Sequence, residues 1–247
     1  MATGVAVVTG ATSGIGEATA RRLAALGFDV MIGARRQGRL REVADDIGAR
    51  WAVLDVADAA SVDRFCAQVD ECRVLVNNAG GALGLDAIED ADEDEWRAMY
   101  EVNVLGTLRM TKRLLPLLEA SGDGHVVTMG SVAGYEPYAG GAGYNAAKFA
   151  ERAFSRVLRM ELLGRPVRVS EIAPGLVETE FSTVRFHGDA ERARAVYRGM
   201  TPLSADDVAE CIAFVVTRPP HVNIDTLVVL ARDQSGPVDV YRREDGR

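Results

Sequence analysis

Short, unbroken apolar runs alternate along the chain with longer stretches whose apolar positions recur every three or four residues. Val5–Thr9, Asp29–Gly33, Ala52–Asp55, Val74–Asn77, His125–Gly130, Val167–Ile172 and Thr226–Leu230 are short and rich in Val, Ile and Leu. They show little polar alternation, as expected of strands covered on both faces. The amphipathic segments are Gly14–Leu26, Arg39–Ile47, Ala59–Val69, Trp96–Glu119, Ala142–Leu163 and Ala205–Val216. Repeated strand–helix–strand order implies right-handed crossovers. The pattern therefore predicts a single α/β domain, a doubly wound parallel sheet with helices on both faces. No linker or internal repeat divides it. Residues 231–247 mix charge, Gly and Pro and are expected to be loosely ordered or laid across a neighbouring subunit.

Composition narrows the function classes. A chain of 247 residues, 48% hydrophobic and 26% charged, can bury a large core without disulfides or metal. Lys and Arg total 28 against 36 Asp and Glu, a net charge of −8, so nucleic acid is not an expected partner. Cys66, Cys72 and Cys211 form no CxxC pair, and His125, His187 and His221 have no ligand spacing, so no metal is expected. The start shows no charged n-region followed by an apolar h-region. No stretch approaches the roughly 20 apolar residues of a membrane span, so a cytoplasmic protein without a membrane partner is expected. The acidic run Glu89–Glu95 suits the positive end of the helix that follows it.

Thr9-Gly10-Ala11-Thr12-Ser13-Gly14-Ile15-Gly16 follows the first strand and opens the first helix. A glycine-rich turn there lets backbone approach a pyrophosphate, and the helix N-terminus offers free N–H groups and a positive dipole. Three glycines also occur in ordinary turns; the strand before and the helix after give the motif its weight. Gly10, Thr12, Ser13, Gly14, Ile15 and Gly16 are the expected pyrophosphate contacts of a Rossmann-type site. The second strand ends about 20 residues beyond the glycines, where the ribose-reading residue belongs. An acid there would accept from a free 2′-hydroxyl, but the chain has Gly33-Ala34-Arg35-Arg36. Two guanidinium groups suit a phosphate on that hydroxyl, so Arg35 and Arg36 predict NADP; the alternative is a pair of solvated helix-start arginines. Asp55 and Val56 are expected beside the adenine. Asn78, Ala79 and Gly80 are expected beside the cofactor ribose at the carboxyl edge of the sheet.

Ser131 ends the fifth strand, and Tyr144 and Lys148 open the long helix after it. A spacing of four sets the tyrosine and lysine on one helix face. An unperturbed phenol, with a pKa of about 10, is a poor base near neutral pH, and a nearby ammonium favours its anion. Tyr144 is thus the expected acid–base group, and Ser131 a hydrogen-bond donor to the same substrate oxygen. Alone, Tyr-x-x-x-Lys is weak; the serine and the glycine-rich turn give it force.

Taken together, these motifs resemble the short-chain dehydrogenase/reductase family from Val5 to about Leu230. The resemblance rests on TGATSGIG at Thr9–Gly16, NNAG at Asn77–Gly80, Asn103, Ser131, YNAAK at Tyr144–Lys148 and Pro174-Gly175. It implies that Asn103 holds a water linking the lysine to a proton relay, and that Lys148 also binds the nicotinamide ribose. It also implies cofactor contacts at Pro174, Gly175, Val177 and Thr179, and a homo-oligomer, tetramer or dimer. Within the family the chain is similar to the bacterial NADP-dependent serine and 3-hydroxy acid dehydrogenases, notably at 33–37, 138–141, 179–186 and 221–227. The expected substrate is then a small 3-hydroxy acid of the serine or allo-threonine kind. Its carboxylate needs a cationic partner, for which Arg185 is the candidate, with Tyr138 and Glu136 as further wall residues. Two alternatives stand beside this: a reductase of another carbonyl (a 3-oxoacyl thioester, ketone or aldehyde), and an NADP-binding regulator without catalysis.

Overall fold

The computed structural model of the protein describes residues 4–243. The apolar runs become strands of one parallel sheet: β1 (Val5–Thr9), β2 (Asp29–Ala34), β3 (Arg50–Val53), β4 (Val74–Asn77), β5 (Gly124–Met129), β6 (Val167–Pro174) and β7 (Thr226–Val229). Their spatial order is β3-β2-β1-β4-β5-β6-β7. β1, β4, β5 and β6 are buried along their whole lengths, which is why their sequences show no polar alternation. The order reverses between β1 and β4, and at such a switch point a cleft opens outside the carboxyl ends of the strands.

The helices are α1 (Gly14–Ala25), α2 (Gln37–Ile47), α3 (Ala59–Cys66), α4 (Glu93–Tyr100), α5 (Gly106–Ala120), α6 (Ala142–Glu161), α7 (Phe181–Arg185), α8 (Ala190–Ala195) and α9 (Ala205–Val216). α1, α2 and α9 bury Leu23, Leu40 and Ile212 on one face of the sheet. α3, α5 and α6 bury Phe65, Leu114 and Leu158 on the other. Truncating a fully buried leucine such as Leu114 to Ala would cost about 2–5 kcal/mol. On the α5–α6 face, Leu75, Val126 and Val169 belong to the core. Two residues further along, the same face carries the row Asn77, Thr128 and Glu171, all buried. The core therefore turns polar just beneath the cleft.

The structure departs from the sequence pattern in four places. The expected helix Trp96–Glu119 begins earlier, with Asp92 capping Glu93–Tyr100, and is broken by a π turn at Glu101–Leu105. That turn carries Asn103, whose side chain leaves the helix face for the loop after β4. β3 lies two residues upstream of its expected place, because Asp55 is used to build the turn into α3. There Asp55 donates its N–H to Ser61 Oγ at 3.0 Å and accepts at its side chain from Ala57 N, also at 3.0 Å. The segment after β6 forms the short helices α7 and α8, which no strong periodicity announced. Finally, the described part of the tail is ordered against its own chain: Gln234 is buried, Tyr241 N donates to Asp233 O, and Arg243 N donates to Gly199 O. Up to residue 243 it packs on its own chain; 244–247 lie outside the described residues.

Candidate active site

The glycine-rich turn is built for close approach. Gly10 and Gly14 have φ of +69° and +55°, where a side chain is strained. A Cβ at Gly16 would sit 2.4 Å from Gly10 O and 2.4 Å from Asn78 Nδ2. Asn78 ties β4 to β1, its Nδ2 donating to Thr9 O at 2.9 Å, while Ala79 N donates to Thr9 Oγ1 at 2.9 Å. Ser13 is the N-cap of α1 but its side chain caps nothing; it accepts instead from Arg36 Nη2 at 2.6 Å. The first N–H groups of α1 are thereby left facing the cleft, an anion site in the making.

A cavity of about 690 Å³ runs from this turn to Tyr144. All the expected cofactor residues line it: Gly10, Thr12, Ser13, Gly14, Ile15, Gly16, Arg35, Arg36, Asp55, Val56, Asn78, Ala79, Gly80, Tyr144, Lys148, Pro174, Gly175, Val177 and Thr179. Ser131 and the candidate substrate residues Tyr138 and Arg185 line it as well, whereas Glu136 does not. Asn103 stands one layer behind. Fully buried, it donates to Met99 O at 2.7 Å and Gly81 O at 2.9 Å, and it accepts from Gly81 N at 3.1 Å. It braces the loop at Gly80, where a Cβ would meet Asn103 Oδ1 at 2.4 Å.

At the outer end Arg36 is heavily engaged. Its Nε donates to Thr12 Oγ1 at 3.1 Å, and its Nη1 pairs with Glu180 at 2.8 Å. Arg39 reaches the same carboxylate at 3.1 Å. The Arg36 guanidinium, bonded to it, holds the Glu180 carboxyl below the usual carboxylate range. Sequence reading missed Glu180, which lies 144 positions from Arg36.

At the inner end Tyr144 is buried, its ring edge-on to Phe181 at 5.6 Å between centroids. Lys148 Nζ lies 5.7 Å from the Tyr144 ring centroid and donates to Met129 O at 2.8 Å. Lys148 Nζ also forms an ion pair with Glu151 Oε2 at 2.6 Å. Burial opposes the lysine's charge, but Glu151 and Tyr144 outweigh it and hold the ammonium above the ordinary lysine range. Burial pushes the Glu151 carboxyl up to about 7, against the pull of Lys148. Ser131 caps the turn Val132–Gly134, accepting from Ala133 N at 3.1 Å. That leaves its hydroxyl proton available.

Arg185 completes this end. Nε donates to Gly84 O at 2.9 Å and Nη1 to Tyr138 OH at 2.8 Å, while Nη2 is buried without a partner among the described residues. Its guanidinium carbon lies 5.7 Å from the Tyr144 ring centroid. Burial raises the Tyr138 phenol, and Arg185 opposes that rise. The tail contributes a support that no sequence signal announced. Gln234 Oε1 accepts from Leu176 N at 2.9 Å, and a Cβ at Gly175 would lie 2.1 Å from that oxygen.

Comparison with known proteins adds independent findings. The sequence profile of the short chain dehydrogenases matches residues 4–190. An NADP-dependent 3-hydroxy acid dehydrogenase of Escherichia coli is 42% identical over 247 residues, covering 97% of this chain and 100% of that protein. Sulfoacetaldehyde reductase 2 of Chromohalobacter salexigens is 41% identical over 240 residues, covering 94% and 95%. The closed form of a serine dehydrogenase complexed with NADP+ superposes with a TM-score of 0.92 at 41% identity, covering 97% of this chain and 100% of that one.

Proposed function

The chain belongs to the short-chain dehydrogenase family, and from that premise we propose that it is an NADP-dependent oxidoreductase interconverting a small 3-hydroxy acid and its 3-oxo product. The observation that carries the substrate class is Arg185. Its Nη2 is buried without a partner among the described residues, on a guanidinium whose carbon lies 5.7 Å from the centroid of the Tyr144 ring, and such a nitrogen is costly unless an anion completes it. A carboxylate two carbons from the carbinol would do so. The NADP-bound serine dehydrogenase and the 3-hydroxy acid dehydrogenase relative support the same reading.

The residues fit the dinucleotide. The positive-φ glycines, the uncapped N-terminus of α1 and the pair Arg35–Arg36 suit a pyrophosphate and a 2′-phosphate. Bound NADP supplies the acceptor, and NADPH the donor, of the hydride exchanged at the carbinol carbon. Tyr144 holds the proton at the substrate oxygen, giving it up in reduction and taking it in oxidation. Lys148 steadies the phenolate from one helical turn away and, as in the family, reaches the ribose hydroxyls. Ser131 donates to the substrate oxygen, and Asn103 keeps the loop after β4 in place behind the relay.

The test is turnover with NADP and NAD against a panel run in both directions: serine-like 3-hydroxy acids, their neutral alcohol analogues, and short aldehydes with and without an anionic group. The expected result is NADP preference and discrimination for the carboxylate. NAD preference, or equal turnover of neutral analogues, overturns the assignment. A second reading, a reductase of a sulfonated aldehyde, draws on the sulfoacetaldehyde reductase relative, since Arg185 suits a sulfonate equally. Exposed Leu108 on α5 and Phe149, Val157 and Met160 on α6 support the homo-oligomer the resemblance implies, which sedimentation checks.

A further inference from the structure

The inward stripe of α6 reads Tyr144, Lys148, Glu151, Ser155, Leu158. Spacings of four, three, four and three place these side chains on one face. That face meets the sheet, where an amphipathic helix ordinarily presents apolar residues. Four of the five are polar, and Glu151 is among the most deeply buried charged residues of the protein. A buried acid at such a position is retained at a cost unless it is paired.

We propose that Glu151 is a positioning residue for the reaction: its carboxylate holds the Lys148 ammonium beside Tyr144 and sets how much of that positive charge the phenol feels. The proposal rests on the assignment of Tyr144 and Lys148 as the acid–base pair. The lysine has three protons. One goes to Met129 O at 2.8 Å, and the ammonium as a whole sits 2.6 Å from Glu151 Oε2 as an ion pair, so these two contacts fix where Nζ lies. The two anchors fix Nζ from the sheet side and the helix side, leaving the cleft side for the phenol and a ribose.

The charge argument follows from the neighbours. On α6, Glu151 faces Lys148. From α5 it faces the uncharged Thr107, whose Oγ1 donates to Oε1 at 3.5 Å. From β6, Glu171 pushes it toward the protonated form. Behind Glu171 stand Tyr135, donating at 2.9 Å, and Arg152, with its guanidinium 3.8 Å from the Tyr135 ring centroid. As an anion, Glu151 cancels part of the lysine's field at Tyr144. When it takes up a proton, that field is restored as the pH falls, which keeps the phenolate usable over a wider range.

The test compares the protein with Glu151→Gln. In cofactor-free protein, the pH titration of tyrosinate absorbance, taken as a difference against Tyr144→Phe, isolates the Tyr144 phenol. Glu151→Gln is expected to move its midpoint down by about one unit, an approximately tenfold change in the ionisation constant. The acid limb of kcat/KM for alcohol oxidation moves the same way. Glu151→Asp keeps the charge but withdraws it from Nζ, and shifts the midpoint in the same direction by less; it carries the test should the glutamine variant fail to fold. A midpoint unmoved or moved upward in the folded variants overturns the role of Glu151. Lys148→Met reports separately: if it leaves the Tyr144 midpoint in place, the acid–base pairing itself fails.

Discussion

The two ends of the cleft carry the same kind of pair, a cation against a carboxylate, in opposite surroundings. At the outer end, Glu180 bridges Arg36 and Arg39 with all three side chains nearly half exposed. At the inner end, Lys148 and Glu151 are 6% and 2% exposed. Exposed pairs contribute about 0–1 kcal/mol, so their partners exchange cheaply. Removing one member of a buried pair costs roughly 3–5 kcal/mol, because the other charge is stranded. The outer end is thus suited to capturing and releasing a phosphate. The inner end is suited to keeping its two groups together through every turnover.

The comparison breaks first at Tyr144. Tyr144→Phe should lower kcat by about 10²–10⁴-fold while weakening NADPH binding, followed by fluorescence, far less. Loss of both together would mean that the inner end shapes the whole cleft. Next comes Arg185→Ala, expected to raise KM for a 3-hydroxy acid roughly 10- to 100-fold, the equivalent of one or two charged hydrogen bonds. A neutral alcohol should be unaffected. If both substrates respond alike, Arg185 serves the loop at Gly84 rather than an anion.

A third measurement concerns pH. Burial lifts the folded Glu151 carboxyl to about 7, from an ordinary value near 4.5. Between those values the folded chain keeps a proton that the unfolded chain has released, so stability falls as pH rises through the window. Urea unfolding at pH 5 and pH 8 should show a loss of about 1–3 kcal/mol that Glu151→Gln removes. Stability rising over that interval would instead mean that the ion pair with Lys148 outweighs burial.

The smallest effects belong to the outer end. Arg36→Ala should weaken NADPH binding about tenfold, and less so at high salt. Glu180→Gln should tighten it by a few-fold at most, since Glu180 competes with the phosphate for Arg36. A weakened affinity on losing Glu180 would show that the carboxylate helps close the cleft over the cofactor rather than guarding it.

Much of this arrangement could be read along the chain. Strand positions followed from unbroken Val, Ile and Leu runs, and the glycine-rich turn from its place between a strand and a helix. Tyr144 and Lys148 lie one turn apart as their spacing requires. Even Glu151 left a signal, an acid on the inward stripe of α6, although nothing local says which group it meets. The π turn at Asn103 left none, because its helix keeps an amphipathic pattern on both sides of the break. Gln234 under Gly175 and Glu180 on Arg36 were equally silent.

Within a window of a dozen residues, side-chain periodicity and backbone geometry act on neighbours that the chain itself supplies. For that reason the sheet, its longer helices and the positions of the glycine-rich and Tyr-x-x-x-Lys motifs were decided by the sequence alone. Which carboxylate faces which cation was settled only when β6, α6, α7 and the tail closed over the same cavity. Coulomb energies depend on separation and burial, and neither quantity exists until distant segments have packed.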